Sequence, residues 1–582
     1  MRLAPISVGL VFAGVLCAQS SFFPLKDIRP GMKGVGKTVF TGDRVEEFGV
    51  EVLGVLENVG PKQSIILARL SGGPLEKTGV MQGMSGSPVY LDGKLAGAVA
   101  LAFSFSKDPI AGIRPIEEML QAGSRPAAAI ARLVPGDDLT AALPKRAASF
   151  GDTHLVEIAT PLSFAGFTSG TVDHFAPRLR ALGLEPRQGA SGGGTPPPAM
   201  GNPASLQPGS MISVQLMSGD MAIGADGTVT HIDGRGIYAF GHRFLSIGST
   251  ELPFARAEVL TLLPNLSTSF KISSAKEWMG TIVEDRNAAV AGELGRRASL
   301  VPLAIRVASK SGGPQSSYSM RMVNDRFLSP ILLQMALYSA IDATERTVGT
   351  SSFAVRGAIE FEGGMKPIEL NSLYAGDANV PLQVSLSAAI PLAYAMQSGL
   401  PDLKLKGVNL EIEAWEEKRQ WRIDDVWASR REAKPGETVE VAVALVADNG
   451  DETIRRVSWT VPIGAPVGTL FFTVSDGATA NMSDYRQLAS AAPRSAAQLI
   501  SLINSLKSNH RGYVRVWKAQ PGFHIQGADL AAPPPSLAMI LARSPSAPPG
   551  AQSQSSKLGE MEFQVDDAAI TGSRTIQVEV KE

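Results

Sequence analysis

One serine stands between glycines in Gln82-Gly83-Met84-Ser85-Gly86-Ser87-Pro88. The apolar segments Thr78–Met81 and Val89–Leu91 flank this run, and a turn, Asp92-Gly93-Lys94, follows it. Such a run fits a sharp loop between short elements and little else, because the glycines let the chain bend tightly and keep side chains out of the way. A loop of this kind can hold the serine hydroxyl clear of the backbone and aim nearby N–H groups at a developing oxyanion. Ser85 is therefore a candidate nucleophile, with the amides of Gly83 and Ser85 as a candidate oxyanion hole. Gly, Ser and Pro also build ordinary turns, so an unreactive turn serine is the other reading.

A nucleophilic serine needs a base. The histidines are His154, His174, His231, His242, His510 and His524, and none precedes Ser85. A triad with histidine first in the chain is excluded, and any histidine partner comes from downstream.

The first residues read as an export signal. Arg2 gives a positive start, Leu3–Ala18 is mostly apolar, and Ala18 and Ser20 are small enough for cleavage near Ser20. The apolar run is short for a membrane anchor, which needs about 20 residues, and no later segment is apolar enough to span a bilayer. The expectation is an exported protein, periplasmic or extracellular. Cys17 is the single cysteine and leaves with the signal, which removes cysteine nucleophiles, disulfides and cysteine-held zinc. A net charge of −1 gives no basic excess for nucleic acid. Neither a His-x-x-x-His pair nor a dense carboxylate cluster occurs, so no metal is expected. The glycine- and lysine-rich Gly31–Lys37 lacks the spacing of a phosphate loop, and no cofactor is expected.

With 59 glycines, 39 prolines and few aromatic residues, the chain reads as loop-rich and mainly β. After the signal (1–20), a serine-loop β module spans 28–120, with strand patterns at Val50–Leu56, Ile65–Leu70 and Leu95–Leu101 and a short helix start at Pro115–Leu120. A mixed segment and Gly/Pro-rich linker follow at 121–208, with helices expected at Ala127–Leu133 and Asp173–Leu182. A second β module spans 209–400. It opens on the alternating Met211–Leu216 and carries a hairpin, Thr228–Ile232 with Gly236–Phe240, that ends in Gly241-His242. Ser329 and Pro330 introduce a helix over Ile331–Ala343, and strands are expected at Phe353–Phe361 and Leu382–Ala388. An immunoglobulin-like β-sandwich is read over 403–476, from the alternation at Val408–Ala414 and Val439–Leu445. The remainder, 477–582, holds an amphipathic helix at Pro493–Leu506, a Pro/Ser-rich stretch at Ala531–Ser556 and a last strand at Ile576–Val580.

Two separated segments resemble one family. Trypsin-like peptidases carry their nucleophile in Gly-x-Ser-Gly-x-Pro. More closely, Arg44-Val45-Glu46-Glu47-Phe48, Leu75–Gly79, Gln82–Pro88 and Asp92–Val99 resemble the serine half of the SpoIVB-type serine peptidases, and Gly227–Leu245 resembles their Gly-His segment. The resemblance implies a trypsin-like double β-barrel with the site between the barrels. It also implies Ser85 as nucleophile, His242 as base, a protein or peptide substrate, and narrow, signalling-type proteolysis. The halves stand in reversed order here. The family's acidic residue falls near Ser71, which is no carboxylate, so Asp285 is the candidate orienting acid, with Asp233 another whose turn position already explains it. A non-catalytic envelope protein that keeps the scaffold for binding is the competing reading.

Met84 occupies the place where trypsin has an aspartate that pairs with a freed N-terminus. Methionine cannot make that ion pair. Trimming the N-terminus beyond the signal is therefore expected to leave activity unchanged, as read by the rate of active-site labelling. Strong activation on trimming would refute the assignment.

Overall fold

A computed structural model describes residues 21–582, apart from 104–105, 122–138, 141–142, 144–154, 190–198, 311, 313–314, 345–348, 466, 491–494, 521, 526–527, 532, 544–551 and 554. The signal reading, the helix expected at Ala127–Leu133 and His154 lie outside the described residues, as do parts of the linker and of the Pro/Ser-rich stretch.

The serine-loop module is mainly strand. Its elements are β1 (Lys33–Thr41), β2 (Arg44–Gly60), β3 (Gln63–Ser71), β4 (Pro88–Leu91), β5 (Lys94–Phe103) and β6 (Ile110–Pro115). The pairing order is β4-β1-β2-β3-β6-β5, and β4 also pairs with β5. The six strands therefore close into a ring, which leaves none of them with a free edge. β4 and β5 are joined across Asp92 and Gly93, both at positive φ (47° and 73°), the geometry of a tight two-residue hairpin. Small residues in β5 (Ala96, Ala98, Val99, Ala100) are fully buried, as an interior strand of a narrow ring requires.

Two short strands, β7 (Leu155–Glu157) and β8 (Thr160–Ala165), lead through the helix Ser169–Ala181 to β9 (Leu184–Gln188). A second ring follows. Its strands are β10 (Met211–Gly219), β11 (Ala222–Asp233), β12 (Gly236–Ala239), β13 (Gly248–Leu263), β14 (Phe270–Arg286) and β15 (Ala289–Leu294). The order is β10-β13-β14-β15-β12-β11, closed by a β10–β11 pairing. The hairpin expected around Asp233-Gly234-Arg235 is the β11–β12 connection.

The rings meet directly. Gly42 and Val259 exchange backbone hydrogen bonds of 2.8 and 2.7 Å. Gln82 bridges to Phe270. Val39, Met211, Ala257 and Val259 form one shared apolar cluster, and Leu95, Ala98, Ile116, Met119 and Ala289 form another. Such burial contributes roughly 1.5–3 kcal/mol per large side chain. The residues after Ser20 belong to this assembly. Phe23 N–H donates to Leu95 O at 2.9 Å, and Phe23 and Ile28 are buried. Trimming that leaves the fold intact therefore stops near Ser21.

From β10 the sheet runs on through Gln315–Val323, Leu300–Ser309, Leu405–Trp415, Ser351–Phe361 and Ile368–Gly376. Two helices, Leu328–Thr344 and Val380–Gln397, pack on it. The second helix corrects the strand expected at Leu382–Ala388. The apparent alternation there is outweighed by Val380, Val384, Ala388 and Leu392, which recur every fourth residue and are all buried, with Pro381 in the first turn. The first helix agrees with the sequence, but its cap is Asp325. The Asp325 carboxylate accepts from Phe327 N–H and Leu328 N–H (2.9 and 3.0 Å), while the Ser329 hydroxyl donates to Val323 O.

A two-sheet unit follows. One sheet orders Glu452–Thr460, Thr438–Ala447, Gln420–Ala428 and Ala569–Thr571. The other orders Glu432–Ala433, Ser573–Val580, Gly468–Asp476, Arg511–Lys518 and Ser556–Gln564. Its shared core includes Val441, Val443, Phe472, Val514 and Val578. The strand at Val408–Ala414, read as its beginning, lies instead in the large sheet, and the final strands of the chain close the sandwich. No helix among the described residues is long and apolar enough to cross a membrane.

Truncation at Ala568 removes two strands, one from each sheet of the sandwich, and exposes the apolar faces of Phe472 and Val443. This variant is expected to aggregate or to lose a separate unfolding transition in calorimetry, while the two rings keep theirs.

Candidate active site

The serine loop is held by its own backbone and by both rings. Gly83 and Gly86 have φ of 90° and 92°, a region that side-chain-bearing residues rarely enter. Met84 N–H donates to Met81 O (3.1 Å), Gly86 N–H to Val99 O (2.7 Å) and Ser87 N–H to Met84 O (2.9 Å). The amides of Gly83 and Ser85, the pair expected to form the oxyanion hole, donate to no group among the described residues. They are the donors a developing oxyanion would need.

β11 grips this loop from the other ring. Side chains alternate along a strand, so Asp226, Thr228 and Thr230 share one face. The Thr228 hydroxyl donates to Gly83 O at 2.9 Å and the Thr230 hydroxyl to Gly86 O at 2.7 Å. Thr228 N–H donates to Ser85 O at 2.9 Å. Gly86 is the tightest point. A Cβ there would stand 2.0 Å from Thr228 O and 2.5 Å from Phe240 N.

That contact brings in the histidine turn. Phe240 and Gly241 both have positive φ (70° and 69°), and the phenyl ring of Phe240 lies over Gly227, leaving no room for a Cβ there. A non-glycine residue in this region carries about 1–3 kcal/mol of strain, held in place by the surrounding packing. Gly241 packs against Ala98, Val99 and Ala100 of β5. The Gly-His turn is thus pressed onto the strand that receives Gly86. His242 Nδ1 lies 2.7 Å from Arg243 O. A carbonyl oxygen only accepts, so Nδ1 carries the proton and the neutral ring keeps Nε2 as its basic nitrogen.

Ser85 and His242 are both fully buried. The hydrogen bond expected between them is not formed, since the Ser85 hydroxyl has no hydrogen-bond partner among the described residues. The site is closed, and its two parts are adjacent through Gly86 and Phe240.

Asp285 serves the histidine turn at one remove. Its carboxylate accepts from the amides of Phe244 (2.8 Å), Leu245 (2.7 Å) and Ile247 (3.2 Å). It fixes the turn that follows His242. Burial pushes its pKa up to about 6, against the pull of those amides. Asp233 is exposed at the tip of the β11–β12 hairpin. Among the other histidines, His231 packs on Phe22 and Tyr238, and His174 stacks on Tyr338. A groove of about 410 Å³ elsewhere, lined by residues that include Arg306, Tyr318, Arg356 and Glu411, contains no residue of either loop.

Sequence reasoning missed the polar layer beneath the serine loop. Asp226 is buried and accepts from the hydroxyls of Ser273 (2.6 Å) and Ser163 (3.4 Å), and burial raises its pKa to about 6. Lys271, at the start of β14, is also buried. Its pKa falls to about 7 through desolvation, opposed by Asp226. The available signal was the alternation Asp226-x-Thr228-x-Thr230 within β11.

Residues 25–120 match the SpoIVB peptidase S55 family model. The match covers the whole first ring and Ser85, and it ends before the histidine segment. No curated protein and no solved structure matches the chain.

Gly86→Ala combines a strained φ with a clash against backbone that cannot move aside. It is expected to destabilise the protein by about 3 kcal/mol or more, read from denaturant midpoints. A second expectation concerns pH. Asp285 binds its proton more tightly folded (about 6) than unfolded (the ordinary aspartate value, about 3.9), so its contribution is present at low pH and lost as pH rises through about 6. Asp285→Asn should flatten the fall in stability between about pH 4 and 6. An unchanged slope would remove Asp285 as its source.

Proposed function

We propose that this protein is an exported serine endopeptidase of SpoIVB type, periplasmic or extracellular, acting on a narrow set of protein or peptide substrates. The observation that carries the reading is the backbone packing of Gly86 on Thr228 and Phe240, which joins a serine loop from one ring to a Gly-His turn from the other. The family match over the first ring supports it. So do the two undonated amides and the tautomer of His242.

In this reading Ser85 Oγ attacks the scissile carbonyl carbon as its proton passes to His242 Nε2. The carbonyl π pair moves to the oxygen, which the amides of Gly83 and Ser85 receive. Collapse expels the amine, which takes the proton from His242, and water then releases the acyl group by the same steps. The carbonyl of Arg243 fills the orienting place usually held by a carboxylate. The turn behind it is stiffened by Asp285. Because both side chains are sealed, a segment covering them must move before a substrate enters. Closure of this kind suits a regulatory peptidase better than a digestive one.

Complete burial of Ser85, together with a serine at position 71 in place of a carboxylate, also favours the second reading, a non-catalytic envelope binding protein. A fluorophosphonate probe separates the two. Labelling of the folded mature chain, lost in Ser85→Ala and reduced at least about 100-fold in His242→Ala, supports the enzyme. Folded protein that stays unlabelled, including after mild destabilisation by urea, supports the binding scaffold.

A further inference from the structure

The buried Lys271 is unused by the chemistry above, yet it touches the serine loop in three ways. Its backbone N–H donates to Gln82 O at 3.2 Å. Its aliphatic stem packs under Gly83, where a Cβ would meet Lys271 Cδ at 3.2 Å and Lys271 Cβ at 3.4 Å. Its ammonium donates to Thr38 Oγ1 at 2.8 Å, and the same oxygen accepts from the Ser87 hydroxyl at 3.0 Å. One residue thus holds the loop immediately before Ser85, the candidate oxyanion donor itself, and the residue two places after Ser85.

Nothing about the fold of the second ring demands a cation here. An apolar side chain would fill the same space without the cost of desolvating a charge. Asp226 is the charged group acting on Lys271. From β1, β13 and the loop it meets Thr38, Leu262 and Gly83, none of them charged. Asp226 is itself supported by serine hydroxyls from β8 and β14. A buried cation whose stem lies under Gly83, acted on by a buried carboxylate and next to a turn whose two amides are undonated, has the placement of an electrostatic support for an oxyanion.

We propose that Lys271, with Asp226 as its counter-ion, is the positioning residue of the serine loop: it fixes the Gly83 amide from beneath and sets a positive potential where the oxyanion forms. The proposal rests on Ser85 being the nucleophile as far as the oxyanion is concerned; the holding of the loop does not. A cation inside a water-excluded site acts strongly on a developing negative charge, because little solvent screens it. The depressed pKa of Lys271 adds a consequence. Its charge fades as pH rises through about 7, so the rate falls on the alkaline side.

The test uses the mature chain, the variant Lys271→Met, and the double variant Lys271→Met with Asp226→Asn, which leaves no buried carboxylate without its cation. Each is checked for a native melting transition. The first readout is hydrogen exchange of the segment 82–87, followed by mass spectrometry. The second is the rate of fluorophosphonate labelling from pH 5 to 10. Expected in the double variant are exchange at least about 10-fold faster in 82–87 with the rest of the first ring unchanged, labelling slowed about 10- to 100-fold, and loss of the alkaline fall seen in the wild type. A folded double variant with wild-type exchange in 82–87 overturns the positioning role. Faster exchange with an unaltered labelling profile overturns the electrostatic role. If the wild type does not label at all, the peptidase reading and the electrostatic role fall together, and the exchange measurement still decides whether Lys271 holds the loop.

Discussion

The absence of one Cβ governs this structure. At Gly86 the chain passes so close to Thr228 and Phe240 that main chain of one ring lies against main chain of the other. Around that point the remaining bonds fall into register: Thr228 to Gly83 and Ser85, Thr230 to Gly86, and Gly86 to Val99. Each bond contributes about 1 kcal/mol in isolation. Their larger effect is geometric, because they leave one arrangement of the serine loop and the Gly-His turn that satisfies all of them. The positive φ values of Phe240 and Gly241 follow from the same constraint, since the turn bends to pass beside Gly86 and across β5. Strain of this kind survives where neighbouring structure over-determines the backbone, and it gathers at functional sites.

The same closeness accounts for the closed state. Ser85 and His242 are sealed together with Asp226, Lys271 and Asp285, a group of titratable side chains with almost no access to water. Burying such groups costs free energy, and the shifted pKa values of Asp226, Lys271 and Asp285 all lie in the direction that favours neutrality. At Lys271 an apolar side chain would avoid that cost, whereas at Asp285 it would leave the amides of Phe244, Leu245 and Ile247 unpaired. Charged groups placed under a strained turn point to a site tuned for charge.

Parts of this were legible in the sequence because local chemistry decides them. The serine loop was read from its glycines, and the hairpin across Asp233-Gly234-Arg235 from its turn residues; in both, φ preference outweighs packing. The helix Leu328–Thr344 was visible as a long apolar run with a start signal, although Asp325 rather than Ser329 caps it. The helix Val380–Gln397 is masked in the sequence because Ser385 and Ser387 imitate a strand's alternation, while their hydroxyls donate to the carbonyls of Leu382 and Val384 one turn back. Val408–Ala414 was correctly an alternating strand, but alternation does not say which sheet it joins; that depends on the parallel register with Leu303–Ser309. Lys271 carries no local signal, and the alternation around Asp226 is not decisive, for a further reason. A charged residue in an apolar strand is informative only when its partner is known, and here the partners are brought together by ring closure.

Ring closure also explains how the halves can stand in reversed order. Each ring is completed by an antiparallel pair of strands that are neighbours in sequence, β4 with β5 and β10 with β11. Closure therefore depends on no strand from the other half, and each ring can form its own interior first. The rings meet through two shared apolar clusters and through main-chain contacts that include Gly42 with Val259, Gln82 with Phe270, and Gly86 with Thr228 and Phe240. None of them requires the serine half to follow the histidine half. What they require is that the two surfaces present their loops at the same place, a condition on geometry that chain order does not enter. The segment between the rings has only to span from β6 to β10. It does so with a β–helix–β excursion, β8 to β9, whose first strand adds to the edge of β11 outside the second ring and leaves both closures untouched.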